Sequence, residues 1–213
     1  LLKVKARVKR ATAAVKFFLL PIMLVFASVL LVPPVRDNFF YTNLWPFPLK
    51  SELTAEQVRQ VKELARPGDV LVEANMHYWQ WVLLSAAGTG STWVHTALVD
   101  DKGGLLSMNK EIKEMPITIY LDWHSTQLAL VRPPYKNPES TARAIAYARS
   151  QIGIPFDPQF RIPSASCTGL VGESLKRADV PVPATERFGH TYYGAASFFQ
   201  IPGAKVIWRS DPH

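Results

Sequence analysis

Residues 91–99 read STWVHTALV. From Trp93 to Val99, β-branched and aromatic side chains alternate in the two-residue period of a strand, and that period sets His95 among apolar neighbours. A histidine in a buried strand needs its ring nitrogens satisfied. His95 is therefore either a core histidine bonded to backbone or an imidazole with a task. Working outward, Asp69–Glu73 (DVLVE) reads as a preceding strand. Asp101–Gly104 reads as a turn into a short strand at Leu105–Met108. Further strands are expected at Gln127–Val131 and Lys205–Trp208, and a helix at Trp79–Ala87 before the Gly88–Ser91 break.

The helices carry their own punctuation. Thr54 and Gln57 have the spacing of a capping box, with Leu53 and Val58 at the staple positions, and Pro67-Gly68 closes that helix. Asn137 caps a helix with Pro138 at its first position, ending near Gly153. A third helix is expected from Cys167 to Ala178, with Ser164 or Ser166 as its cap. The order is one helix, several strands, two helices and a last strand. It predicts an α+β domain with a small antiparallel sheet packed against helices.

Cys167 is the lone cysteine of 213 residues, which excludes an intramolecular disulfide and a thiolate-only metal site within one chain. At a helix start, backbone N–H groups and the helix dipole favour a thiolate. A small buried apolar side chain is the competing reading. The candidate bases are His77, His95, His124, His190 and His213. His124 and His190 lie in polar, turn-rich stretches, and His213 ends the chain.

The charge is uneven. Lys3, Lys5, Arg7, Lys9, Arg10 and Lys16 account for most of the net +7, and the remainder is close to neutral. A nucleic-acid partner is not expected, since its basic patch belongs in the folded domain. Residues 17–32, FFLLPIMLVFASVLLV, contain no charge. With 11–16 they approach the ~20 residues of a spanning helix. Two readings stand: a retained signal-anchor, or a cleaved signal with a small-residue site near Ala27. Either places the basic end in the cytoplasm and the rest on the exported side, periplasmic or extracellular. The expected division is 1–35 leader and membrane anchor, 36–62 juxtamembrane linker and helix, and 63–213 the α+β domain. No P-loop, dinucleotide fingerprint or zincin motif occurs, and no cofactor or metal is called for.

Four segments taken together, PGDVLV at 67–72, STWVHTALV at 91–99, GIPFD at 153–157 and SCTGLV at 166–171, resemble the circularly permuted papain-like cysteine hydrolases. These are the permuted branch of the NlpC-type clan, near the YiiX-like proteins and more distantly the lecithin–retinol acyltransferase-like enzymes. The resemblance spans residues 64–209. It implies Cys167 as nucleophile and His95 as base. The third member, commonly a Glu about twelve residues after the histidine, falls at Ser107 here. Asn109 and Glu111 are the alternatives. A second departure is Gly169, where relatives place Glu.

These roles imply a membrane-anchored hydrolase or acyltransferase forming a covalent acyl-enzyme on an amide, ester or thioester. Anchorage to membrane lipid favours a lipid-linked substrate. A peptidoglycan peptide is the alternative, and a catalytically weak binding module of the same fold is the alternative of another class.

Overall fold

The computed structural model describes residues 53–74, 91–122, 125–156, 166–187 and 190–210, all of which fall in the unit Trp45–His213. Helix α1 (Ala55–Leu64) begins on the expected capping box. Thr54 Oγ1 accepts from the Gln57 N–H at 3.2 Å, and Gln57 Oε1 accepts from the Thr54 N–H at 2.8 Å. After α1, Pro67 and Gly68 turn the chain into β1. Gly68 has φ +85°, and a Cβ there would meet Thr141 Cγ2 at 2.6 Å, so both conformation and space require glycine.

The strands are β1 (Val70–Ala74), β2 (Trp93–Val99), β3 (Leu105–Met108), β4 (Ile112–Met115), β5 (Gln127–Arg132) and β8 (Lys205–Arg209). They form one antiparallel sheet in the order β4-β3-β2-β1-β5-β8. A separate hairpin pairs β6 (Thr185–Arg187) with β7 (His190–Tyr192). Helix α2 (Ile119–Asp122) follows β4. Helix α3 (Pro138–Ser150) starts on Asn137, whose Oδ1 accepts from the Ser140 N–H at 2.9 Å. Helix α4 (Cys167–Arg177) is capped by Ser166, and a 3-10 turn runs over Ala195–Gln200.

Both faces of the sheet are covered, and alternation along the strands sorts the core into two layers. Val70, Val72, Leu98, Leu106, Ala129 and Val131 pack beneath α3, α4 and the 3-10 turn. Leu71, Ala97, Val99, Leu105, Leu128 and Leu130 pack against α1 and α2 through Val58, Val61 and Tyr120.

The expected architecture is corrected in one respect. The α+β class stands without the membrane-spanning helix. Among the described residues no helix is long and apolar enough to cross a membrane. The longest, α3, has 13 residues and buries one stripe (Ser140, Ala144, Ile145, Ala148) rather than being apolar all round. The segment expected to span, 17–32, lies outside the described residues, as does the expected helix at 79–87. The antiparallel sheet packed against helices has six strands, with β4 at one edge and helices over both faces.

Candidate active site

Strand β2 positions His95. It lies opposite Glu73 of β1 in the ladder, and it shares its face with Ala97 and Val99, toward α1 and α2. Ser107 of β3 is on that same face, since its ladder partner is Ala97. The His95 Nε2 and Ser107 Oγ are 2.8 Å apart. Ser107 Oγ also donates to the Thr96 carbonyl at 3.2 Å. A hydroxyl has one proton to give. With that proton on Thr96 O, Ser107 accepts from His95, so Nε2 carries the imidazole proton and Nδ1 has the lone pair.

Cys167 arrives from the other layer. It is the first residue of α4, and Ser166 Oγ accepts from the Gly169 N–H at 3.0 Å. The thiol points to the Val94 carbonyl at 3.9 Å, and the Thr96 N–H is directed at the sulfur. Val94 C=O and Thr96 N–H flank His95 and point to the same edge of β2. That edge faces β3, as the Ser107–Thr96 bond shows. The β2–β3 register ends at Ala97↔Ser107. The sulfur thus lies at the β3-facing edge of β2, between the backbone groups of Val94 and Thr96, where the β2–β3 pairing has ended. The buried hydroxyl of Thr96 has no hydrogen-bond partner among the described residues.

Burial pushes the Cys167 thiol up to about 11. The N–H groups of Thr96, Thr168 and Cys167 itself pull the other way, and the negative charge of Glu73 reinforces burial. Burial also takes the His95 imidazole down to about 4. In this arrangement the pair is thiol and neutral imidazole at neutral pH, not thiolate and imidazolium.

The two alternative third members lie beyond the end of β3. Asn109 lies past the end of β3 in a tight turn, its N–H bonded to the Glu111 carbonyl at 3.0 Å. Glu111 is exposed and bridges to Pro155. His77 and His124 lie outside the described residues.

One residue absent from the sequence candidates is Glu73. It is 2% exposed and accepts a hydrogen bond from Ser125 Oγ, and its charge raises the ionisation range of both Cys167 and Tyr120. A signal for it existed. Val70, Leu71 and Val72 form an apolar run without alternation, the mark of a central strand covered on both faces. Glu73 is then buried whichever way it points. Among the described residues no group of three or more His, Cys, Asp or Glu side chains gathers to hold a metal.

No family model and no curated protein matches the chain. A solved structure does. The crystal structure of the metalloprotein YiiX from Escherichia coli O157:H7 matches with a TM-score of 0.59 and 14% sequence identity, over 70% of this chain and 99% of that one. At that identity the likeness concerns the fold, and the chain has a YiiX-like fold.

Proposed function

We propose that the protein is a cysteine hydrolase or acyltransferase in which Cys167 is the nucleophile, His95 the base and Ser107 the group that sets the tautomer of His95. The observation that carries this is the seat of the sulfur: at a helix N-terminus, 3.9 Å from the Val94 carbonyl next to His95 in β2, with the N–H groups of Thr96, Thr168 and Cys167 itself favouring its ionised form. The motif resemblance to permuted papain-like hydrolases supports the same assignment. His95 Nδ1 takes the thiol proton as the sulfur attacks a carbonyl carbon. The S–C bond forms, and the carbonyl π pair moves to oxygen, where the Cys167 N–H can donate. Collapse breaks the bond to the leaving group, which receives the proton from Nδ1. The acyl group passes from sulfur to water or another acceptor.

YiiX is described as a metalloprotein. The described residues offer no cluster of three or more His, Cys, Asp or Glu fitted to a metal.

A second reading has its own observation. A thiol held near 11, with the imidazole held near 4, is a poor resting nucleophile, as in a binding module that has kept the fold and lost the chemistry. Incubation with acyl-ester and peptide-amide substrates, followed by intact mass measurement, separates the two. The expected result is an acyl adduct on Cys167 that is lost in Cys167→Ala and strongly slowed in His95→Gln. An adduct that survives Cys167→Ala overturns the assignment of the nucleophile, and none with either substrate class favours the binding module. Running a lipid ester and a muropeptide in parallel assigns the substrate class.

A further inference from the structure

We infer that Glu73 is the positioning acid of the site: from β1 it supplies the negative charge that Ser107, at the expected third position, cannot. This deepens the Cys167–His95 reading and rests on it. Serine can orient an imidazole but holds no charge to stabilise an imidazolium. Glu73 is the direct cross-strand partner of His95. Facing residues on one side of an antiparallel pair have Cβ atoms ~4.5–5.5 Å apart. The register slips only after Glu73, between Glu73 and Ala74, so the pairing with His95 is in phase.

The carboxyl group is buried. Ser125 Oγ donates to Glu73 Oε1, fixing one oxygen from the segment that enters β5. Among the described residues, that face of the sheet carries Tyr120 on α2 and the neutral Ser107 on β3, and Cys167 of α4 reaches the β3-facing edge of β2. Helix α1 brings Val58 and Val61 to that layer. Glu73 is the one acid in that set. Its charge adds to burial in disfavouring a thiolate at Cys167. It therefore acts for catalysis through His95, by favouring the imidazolium left when the proton moves from sulfur to Nδ1.

The two effects of this charge give the test. Glu73→Gln keeps the size and the acceptor for Ser125 and removes the charge. The titration midpoint of the His95 ring resonance, followed by NMR, is expected to move acidward by about one unit in Glu73→Gln. Cys167 alkylation followed against pH should give a lower thiol midpoint. Simple loosening of the packing would also lower the thiol but would raise His95 toward its ordinary range. A His95 midpoint that rises or stays put overturns the inference. Glu73→Asp, which restores the charge, should bring the midpoint back toward the parent value, and failure to do so also overturns it. Should Glu73→Gln not fold, the parent protein suffices. The Glu73 carboxyl resonance must show an inflection at the His95 midpoint, and its absence counts against the inference. None of these readouts needs turnover, so failure of acyl-adduct formation in the parent protein would sink the hydrolase reading and leave this one separately decided.

Discussion

His95 carries a consequence that can be measured without a substrate. In the folded chain burial holds its protonation off until about pH 4, against an ordinary value of 6.5. The unfolded chain takes the proton first as pH falls. The stability that a neutral His95 contributes is therefore full above about 6.5 and is lost as pH drops through the window from 6.5 to 4. At ~1.4 kcal/mol per unit, the loss is about 3 kcal/mol. Carboxylates titrate in the same window, so the informative quantity is a difference. Denaturant unfolding of the parent and of His95→Gln at pH 7.5 and pH 4 should show a steeper acid loss in the parent. Equal losses would mean that His95 is not shielded from water. At the other end of the scale the raised thiol has a matching signature. Alkylation of Cys167 should keep accelerating with pH past 9, toward about 11, where a free cysteine has already levelled off.

Among the elements, α4 sets the thiol, and its placement depends on a contact at its middle. A Cβ on Gly172 would fall 2.3 Å from Cδ2 of Tyr193. The Tyr193 hydroxyl donates to Glu173 Oε1 at 3.1 Å, so the ring cannot swing aside without breaking a buried bond. Gly172→Ala gains helix propensity of up to ~1 kcal/mol but forces the helix and ring apart, at a cost of about 1–3 kcal/mol. The expected outcome is a net destabilisation in thermal unfolding together with a changed rate of Cys167 labelling, since the first residue of α4 moves with its sixth. Labelling unchanged in a destabilised protein would separate the helix from the sulfur. The elements legible in the sequence were those with local punctuation: the capping box at Thr54, Asn137 before Pro138, and the alternation of β2. Strand β4 was missed because IKEM is half polar and pairs at the sheet edge. Helix α2 is four residues long, too short to show a period. Glu73 was legible only as a charge. Its role depends on the β1–β2 register, a non-local fact that spacing along one strand does not contain.

For the molecule as a whole, the far end of β1 is tied down by one ion pair. Asp69 is buried where β1 begins. Arg132, at the end of β5, donates to it through Nε at 2.8 Å and Nη2 at 2.7 Å. The Arg66 N–H bonds the same carboxylate at 2.9 Å, and Arg132 Nη2 reaches the Leu64 carbonyl at 3.1 Å. One fork therefore joins the end of α1, the turn at Gly68, β1 and β5. Arg132→Met preserves the aliphatic stem and leaves the carboxylate with the backbone N–H. Charged hydrogen bonds of this kind contribute about 2 kcal/mol, which for a domain of this size lowers Tm by roughly 4–8 °C. The double variant Asp69→Asn with Arg132→Met should lose clearly less than the two single losses added together, because both remove the same interaction. Glu73 stands at the opposite end of β1, three residues past the start of that strand. Labelling of Cys167 in Arg132→Met should accordingly match the parent at temperatures where both are folded. A labelling rate that falls with Arg132 would mean that the sheet transmits strain along β1 to the thiol, and that the ion pair and the candidate site are one mechanical unit rather than two.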